Sequence, residues 1–423
     1  MRNVLNDVIN TIEGFTNAVA IESGQQLGIT VANTVRTQRT ADGSTHNEPN
    51  FGDGGLVADG SSTYSGQLIN GGSTQLGDWS PDPNTPDFAG ESNLSLGAYW
   101  GNVEPFALQR GDQFRVPAPP PLTSQEYIDA YNQVAAIGGA ADNIATASTS
   151  TNDTRFIANY WGYDGVPLIG VPPRVYNQIS VQFAKDSVDD PLAFARVLAL
   201  VNIGMADAAI AAWDSKYYYN LWRPVVGIRL DDGIDATFDD ATWNPVGVSV
   251  VNTEEPIRAT PPFPAYPSGH STFGAVTFSV LRDLLNDTAF TFVSDEYNGQ
   301  GVDPFFPDVP RPFVPVRFES LTEAQEQNGI SRIYTGVHWE FDNTAGQELG
   351  EQIASYLVND SGILSQGAPV ADEIELIPQV DNTVEQEIDG GNGGGNGGGN
   401  GGGNDGGNGG GNGGGNGGGN GGG

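Results

Sequence analysis

DPLAFARVLALVNIGMADAAIAAWDSKYYYNLW, residues 190–222, is the stretch that decides the fold. Its apolar residues point in every direction around a helix instead of forming one stripe, which is typical of a helix buried in the centre of a bundle. Strand signals elsewhere in the chain are few and short. The sequence therefore predicts a mainly α-helical body, a helical bundle with long loops.

Further helices are predicted on both sides of this stretch. One follows Ser124 and stops at a glycine, and another follows the Pro-rich turn at 167–173. Ser268 is expected to be the N-cap of a helix that starts GHSTFGA, and Ser320 with Glu323 has the spacing of a capping box. After His338, four apolar residues share one helical stripe: Ala345, Leu349, Ile353 and Leu357.

The two ends of the chain differ in composition from this body. Residues 1–38 have amphipathic patterns, with Val4, Val8, Ile12 and Phe15 on one helix face. Residues 41–122 are rich in Gly, Ser, Asn, Asp and Pro, which favours long loops. The last residues repeat GGGN, which predicts a flexible tail. We therefore expect three regions: a loop-rich 1–122, a helical catalytic domain 123–388 and a tail 389–423.

The charge and composition exclude several classes of function. The formal net charge is −35, so nucleic acid is not an expected partner. Cysteine is absent, which excludes disulfides and thiolate metal sites. No run of eighteen apolar residues predicts a membrane span, and the first residues lack the pattern of a secretory signal peptide. We expect a soluble protein, cytosolic or exported by a non-classical route.

Three clusters of scarce residue types stand out from this background. Two of the three histidines and one of the two lysines lie inside them. The clusters run from Lys216 to Arg223-Pro224, from Pro267 through Ser268 and Gly269 to His270, and from Ser331-Arg332 to His338 and Asp342. Each motif alone recurs by chance, but three in this order with this spacing point to one site.

The residue types in these clusters are suited to a tetrahedral or bipyramidal oxyanion. Lys216, Arg223 and Arg332 supply three cations, and the two guanidinium forks match oxyanion oxygens. Ser268 supplies a hydroxyl, and Gly269 lets a backbone N–H approach an anion at a helix N-terminus.

The two histidines of the clusters have chemistry that suits such a site. His270 is placed to act as a general acid or base. His338 is able to bond the central atom, either as a nucleophile to phosphorus or as a ligand to a metal oxide. Asp342 is expected to cap the helix that follows His338 and not to take part in the chemistry.

The pattern KX6RP, PSGH and SRX5HX3D resembles the signature of the vanadium-dependent haloperoxidases. Acid phosphatases and type-2 phosphatidic acid phosphatases share it within the same superfamily. The stretches NYWGYDGVPLIGVPPRVYNQ, WDSK, LWRP and PPFPAYPSGH are similar to the fungal vanadium chloroperoxidase type. This wider similarity, over about residues 105–358, favours the haloperoxidase branch and implies the helical bundle of that superfamily.

The resemblance implies a role for each site residue. Vanadate is then the cofactor, with His338 as the ligand of vanadium. Five residues hold the vanadate oxygens: Lys216, Arg223, Ser268, Gly269 and Arg332. Three residues are assigned to catalysis: His270 as acid–base group, Lys216, and Asp164, which pairs with Arg332. Trp213 and Phe263 line the halide side of the pocket.

The expected reaction is oxidation of bromide or iodide, and in the widest case chloride, by hydrogen peroxide to hypohalous acid. Relatives of this type commonly assemble, which implies a homo-oligomer. They also have a longer N-terminal helical half, so residues 1–104 look abbreviated. The alternative within the superfamily is an acid phosphatase that acts through a phosphohistidine on His338. A non-enzymatic acidic matrix protein is the third hypothesis, and the clusters argue against it.

Overall fold

The computed structural model of this chain describes residues 18–49, 51, 76–83, 94–162, 172–249, 256–257, 260–301 and 310–363. These residues belong to one compact unit, Met1–Pro378. The predicted tail, residues 389–423, lies outside the described residues, as do Val4, Val8, Ile12 and Phe15. The three predicted region boundaries stay a prediction.

The described residues are mostly helical, as predicted. The α-helices are α1 Ala18–Gln38, α2 Gln125–Ile137, α3 Asn152–Gly162, α4 Pro173–Ser187, α5 Pro191–Tyr219, α6 Pro224–Arg229, α7 Gly269–Leu284, α8 Leu321–Thr335 and α9 Glu340–Ser355. Short 3-10 turns lie at Trp100–Asn102, Gly111–Phe114 and Asp295–Tyr297, and a π-helical turn at Tyr356–Asp360 continues α9.

Strands contribute little to the described part of the chain. Two antiparallel pairs occur, β1 Val248–Ser249 with β2 Pro256–Ile257 and β3 Phe290–Phe292 with β4 Val316–Phe318. In the second pair Phe290 lies opposite Phe318. These pairs carry none of the predicted site residues.

Helix α5 is the central helix that the opening stretch predicts. Asp190 caps it, because its carboxylate accepts hydrogen bonds from the N–H groups of Leu192 (3.2 Å) and Ala193 (3.0 Å). The helix ends at Asn220, which has the left-handed conformation, with φ at 51°. Its buried side chains pack against α4, α7 and α9.

Helix α5 is also the one described helix that is long and apolar enough to cross a bilayer by length and composition. Half of the stretch that meets this test is buried inside the protein. A buried core helix meets the same test, and the packing of α5 against three other helices fits that description.

The predicted caps of α2 and α7 are confirmed. Ser124 accepts a hydrogen bond from the N–H of Tyr127 at 3.2 Å, and Ser268 from the N–H of Ser271 at 3.3 Å. Each serine therefore fixes where its helix begins.

The predicted capping box of α8 forms in one arm only. Ser320 accepts from the N–H of Glu323 at 2.9 Å, but Glu323 accepts from the N–H of Glu319 and not from that of Ser320. Ser320 is therefore the N-cap of α8, as predicted, but the reciprocal bond of the box is made to the preceding residue.

Helices α7 and α9 cross at very close range. A Cβ on Gly346 would lie 2.6 Å from the carbonyl oxygen of Ser268, and one on Gly350 would lie 2.6 Å from Cβ of Ala275. The four-residue stripe predicted on α9, Ala345 to Leu357, is buried. This crossing presses the start of α7 against the start of α9 and so brings two of the three motifs together.

The described parts of the loop-rich region contain no α-helix between residues 41 and 122. That agrees with the prediction of long loops. Helix α1 before them is solvent-facing, with Leu27 65%, Val31 54% and Val35 40% exposed.

Candidate active site

Lys216 lies in the last turn of helix α5. The residue has no exposed surface, and its ammonium donates to the carbonyl oxygens of Pro264 (3.1 Å), Ala265 (2.9 Å) and Pro267 (2.5 Å). Burial, and then the charge of Arg223, lowers the pKa of Lys216 well below its usual value. Lys216 therefore fixes the turn that leads to Ser268 and places a positive charge beside it.

Arg223 directly precedes α6 and joins the first motif to the third. Its Nε donates to the carbonyl oxygen of Phe263 at 3.0 Å, and its Nη1 to that of Val337 at 2.9 Å. The same Nη1 lies 2.9 Å from Nε2 of His338. Burial lowers the pKa of Arg223 to about 9, so the guanidinium stays charged at neutral pH.

Arg332 supplies the third cation from the last turn of α8. It is 2% exposed, and burial lowers its pKa to about 10. Its Nε and Nη1, together with Nη2 of Arg223, are buried donors with no hydrogen-bond partner among the described residues. Buried N–H groups are rarely left in that state, so these donors are suited to a ligand that brings acceptors.

His338 follows the left-handed Gly336 (φ 82°) that ends α8. Its Nδ1 lies 2.9 Å from Oδ2 of Asp342, and the same oxygen accepts from the N–H of Trp339 at 3.0 Å. A carboxylate at Nδ1 keeps the proton on that nitrogen, so Nε2 carries the lone pair. Burial and then the charge of Arg223 lower the pKa of His338 well below its usual value.

Asp342 therefore does more than the sequence predicted. It caps α9, as expected, and it also orients the ring of His338. Burial raises its pKa to about 7. Its own carbonyl oxygen accepts from the N–H of Ser268 at 2.9 Å, which ties the second motif to the third.

His270 lies in the first turn of α7 and is 8% exposed. The backbone of Trp161 lies near the ring, and Nε2 has no hydrogen-bond partner among the residues that the structure describes. Burial and then the charge of Arg332 lower the pKa of His270 well below its usual value. The neutral ring therefore presents a lone pair at Nε2, which is the form of a general base.

The two aromatic residues predicted for the halide pocket lie beside the cations. The ring centroids of Trp213 and Phe263 are 4.8 Å apart. The ammonium of Lys216 is 5.2 Å from the ring of Phe263, and Cζ of Arg223 is 4.9 Å from it. A Cβ on Gly269 would lie 3.3 Å from the indole of Trp213, so this wall continues to the start of α7.

The predicted site residues are thus brought together, with one outside the described residues. Asp164, the predicted partner of Arg332, lies at a position that the structure does not describe. Arg332 belongs to the cluster electrostatically, because its positive charge lowers the pKa values of Lys216, Arg223, His270 and His338. Ser268 and Gly269 complete it at the N-terminus of α7.

A tetrahedral oxyanion fits this donor set. Three buried cations lie around His338, and Oδ2 of the Asp342 carboxylate is occupied by Nδ1 of that histidine and a backbone N–H. Among the described residues, no group of three or more His, Asp or Glu is arranged to hold a bare metal ion. An anion supplies the acceptors that Arg223 and Arg332 lack and offsets their charge.

Known proteins match this arrangement of motifs. Residues 196–364, which include all three clusters, match the family model of the VCPO second helical-bundle domain. Vanadium chloroperoxidase of Curvularia inaequalis is 36% identical over 269 residues. The matched part of this chain is therefore similar to a vanadium chloroperoxidase. The match covers 55% of the chain and 43% of that enzyme, so the chain spans less than half of the relative's length.

The vanadium haloperoxidase fold extends beyond the matched sequence. The crystal structure described as the first bacterial vanadium-dependent iodoperoxidase superposes with a TM-score of 0.56 at 22% identity. The superposition covers 84% of this chain and 74% of that one. At this identity the likeness concerns the fold, and it includes part of the chain before residue 196.

Two groups of residues around this haloperoxidase-like site were missed by the sequence analysis. Asn328 donates from Nδ2 to the carbonyl oxygen of His270 at 2.9 Å, and Tyr176 lies 3.1 Å from the same oxygen. Leu96 accepts at its backbone carbonyl from the indole N–H of Trp213 at 3.1 Å. Asn328 lies one helical turn before Arg332, and this spacing is the signal that could have found it. No sequence signal marks a backbone acceptor such as the carbonyl of Leu96.

Proposed function

We propose that this chain is a vanadium-dependent haloperoxidase that oxidises halide with hydrogen peroxide to hypohalous acid. The observation that carries the proposal is the cluster around His338. Its Nε2 accepts from Nη1 of Arg223, and Nη2 of Arg223 with Nε and Nη1 of Arg332 are buried donors without a partner among the described residues, next to the aromatic pair Trp213 and Phe263. The similarity to the Curvularia chloroperoxidase supports it. Because the match spans less than half of that enzyme, activity and substrates remain proposals for this chain.

Vanadate would be held by His338 at Nε2 and by donors from Arg223, Arg332, Ser268 and Gly269. When bound, vanadate supplies Lewis-acid activation of peroxide without a change of its oxidation state. Lys216 contributes its charge from behind the turn at 264–267, where its ammonium donates to three carbonyls. Arg223 contributes charge and also hydrogen-bond donors. Its Nη1 lies 2.9 Å from Nε2 of His338, and its Nη2 has no partner among the described residues.

His270 would move the protons of the reaction. Neutral Nε2 accepts a proton from incoming hydrogen peroxide and returns it to the oxygen that leaves. The overall reaction, in which halide, hydrogen peroxide and one proton give hypohalous acid and water, is balanced. The Asp164 carboxylate is proposed to pair with Arg332 and hold its guanidinium in place.

The halide would approach from the side of Trp213 and Phe263. Large aromatic faces exclude water, and the positive charges of Lys216 and Arg223 lie within 4.9–5.6 Å of these rings. Bromide and iodide are the substrates we propose first, because oxidation becomes easier from chloride to iodide. Chloride is the most demanding substrate for this site.

The test is bromide oxidation by apo-protein with hydrogen peroxide, before and after addition of orthovanadate, followed with a bromination dye. The matched pair is Lys216→Met and Lys185→Met, the only two lysines, of which Lys185 is exposed on α4. We expect vanadate-dependent bromination in the wild type and in Lys185→Met, a large loss in Lys216→Met and complete loss in His338→Ala. Equal activity in all four proteins would contradict the proposal.

A phosphatase is the second candidate, because the pair of His338 and Asp342 also suits a phosphorus nucleophile. It would act through a phosphohistidine on Nε2, with His270 protonating the leaving alcohol. Hydrolysis of para-nitrophenyl phosphate without added metal, inhibited by orthovanadate, would favour it over the haloperoxidase. Bromination without phosphate release would dismiss it.

The assembly state is proposed to be a homo-oligomer. The apolar residues Leu27, Val31 and Val35 of α1 share one helical face and are 40–65% exposed, which leaves a surface suited to a second copy. Light scattering on the wild type and on a variant with Leu27→Gln and Val31→Gln tests this. A monomeric mass for the wild type would rule it out.

A further inference from the structure

The backbone of residues 94–101 lies directly on the halide-pocket tryptophan. The carbonyl oxygen of Leu96 accepts from Nε1 of Trp213 at 3.1 Å and from the hydroxyl of Tyr217 at 2.9 Å. One backbone acceptor therefore fixes two aromatic side chains one turn apart on α5. An indole with its N–H bonded in this way has a defined ring orientation.

Gly97 makes this contact close. Its φ is +76°, and a Cβ at this position would lie 2.1 Å from Nε1 and 2.2 Å from Cδ1 of Trp213. A Cβ on Gly101 would lie 2.7 Å from Cα of Asp214. Only glycine is compatible with both approaches, so the segment is shaped to fit this face of α5.

Glu48 and the pocket itself hold the segment in place. Oε2 of Glu48 accepts from the N–H of Gly97 at 2.8 Å. The N–H of Leu96 donates to the carbonyl oxygen of Pro262 at 3.0 Å, next to Phe263. The segment is therefore bonded to the residues beside both aromatic rings of the pocket and, through Glu48, to the N-terminal loop.

A second anchor lies further along the same loop. The buried carboxylate of Asp207 accepts from the N–H groups of Phe106 (2.6 Å), Ala107 (2.7 Å) and Leu108 (2.8 Å). Asp207 is on α5, less than two turns before Trp213. The loop on either side of Gly101 is thus attached to the helix that carries the pocket.

We infer that the segment 94–101 is a wall of the halide pocket, and that Glu48 is a positioning residue that sets halide selection by fixing Trp213. The inference rests on the proposed haloperoxidase function. Trp213 contacts Phe263 and the Gly269 backbone, so a tilt of its indole changes the space between the rings and the cations. Halides differ in radius, and a pocket with a defined gap distinguishes them.

The matched variants are Glu48→Ala, which removes the acceptor, and Glu48→Gln, which keeps one. We expect the KM for bromide to rise about tenfold in Glu48→Ala, with kcat for saturating iodide within about twofold of wild type. Glu48→Gln should retain a bromide KM close to wild type. Orthovanadate affinity, measured as a thermal shift, should be equal in all three proteins, because Glu48 does not contact the anion site.

A second readout does not depend on activity. The emission of Trp213, taken as the difference between each protein and its Trp213→Phe counterpart, is measured in apo-protein with and without iodide. We expect Glu48→Ala to shift this emission and its quenching by iodide, and Glu48→Gln to leave both unchanged. Gly97→Ala should produce the largest shift, because its methyl group must displace the indole.

The possible outcomes distinguish failure of the proposed haloperoxidase function from failure of the inference about Glu48. If the wild type oxidises no halide, the proposed function fails, and the emission measurements still decide whether Glu48 positions Trp213. Wild-type halide KM together with wild-type emission in Glu48→Ala overturns the inference. If Glu48→Ala does not fold, Glu48→Asp is used, since the shorter carboxylate cannot reach Gly97 in place and should give the same shifts.

Discussion

Nδ1 of His338 lies 2.9 Å from Oδ2 of Asp342, one turn along the chain. The same oxygen accepts from the backbone N–H of Trp339, so the carboxylate is fixed at two points before it orients the ring. Nε2 is thereby directed to Arg223 and the cation cluster. The residue that caps α9 thus also determines which nitrogen of His338 is available to the oxyanion.

Asp342→Asn should weaken orthovanadate binding about 10- to 100-fold, because outer partners of a ligating histidine have effects of this size. The neutral amide oxygen of Asn is a weaker acceptor than the carboxylate for the ring N–H of His338 and the backbone N–H of Trp339. Affinity is measured by thermal-shift titration of purified apo-protein. Glu340→Gln, in the same turn, is the control and should bind as the wild type does. Unchanged affinity in Asp342→Asn would show that the ring is oriented without the carboxylate.

Acidification should destabilise the anion-free protein. Burial lowers the pKa values of His270 and His338 in the native state. As the pH falls through about 6.5, the unfolded state therefore binds protons at these two rings that the native state does not bind, and it is favoured. Asp342, raised to about 7, acts in the opposite direction, because its native state binds a proton first.

The two histidines outweigh the one carboxyl of this cluster, so we expect its contribution to the free energy of unfolding to fall by at most about 1.4 kcal/mol per pH unit below pH 6. Urea unfolding at pH 7.5, 6.5 and 5.5 measures this slope. Saturating phosphate should flatten it, since an anion favours the charged forms of the histidines. Stability that increases on acidification would contradict the burial of both rings in their neutral forms.

Ionic strength should affect the use of halide and not that of peroxide. The formal charge of −35 repels anions from the whole surface, and the repulsion is screened within about 10 Å at 0.1 M salt. We expect the KM for bromide to fall several-fold between about 0.01 and 0.3 M sodium acetate. The KM for neutral hydrogen peroxide should stay constant. A bromide KM that rises with salt would mean that the buried cations, and not the net charge, control the approach.

Asn328→Asp should impair the step that uses His270. The change replaces the donor Nδ2 with a carboxylate oxygen facing the carbonyl of His270, and a displacement of about 1 Å at a catalytic group costs up to about 100-fold. We expect kcat/KM for peroxide to fall 10- to 100-fold, with a smaller effect of Tyr176→Phe, which removes one hydroxyl. A lower melting temperature without a change in kcat/KM would assign Asn328 to stability alone.

The clustering of the cationic residues and two histidines was predictable because these residue types are scarce. The chain has three histidines and two lysines. Chance seldom places two of these histidines and one of these lysines inside spaced motifs. Helix starts at Ser124 and Ser268 were predictable for a related reason, since a hydroxyl N-cap is a local interaction. In both cases the information lies within a few residues of the feature.

The pocket wall was not predictable, because its contacts are distant in the chain and use the backbone. Leu96 binds Trp213 through a carbonyl group, which every residue has. The double role of Asp342 was missed for a different reason: its capping function already accounted for its position. Asp164 keeps its predicted role as a hypothesis, because it lies outside the described residues.

Helix α5 carries Asp207, Trp213 and Lys216 within about 14 Å of its length. The first residue accepts hydrogen bonds from the loop at 106–108; in the proposed function the second would face the halide and the third would support the oxyanion. The guanidinium groups and both histidines belong to segments after residue 196, whereas the loop comes from residues before 109. A loop transplanted from a similar protein therefore needs to fit this face of the helix and the backbone of Pro262, which under the proposed function makes halide preference open to redesign while the oxyanion cradle is left intact.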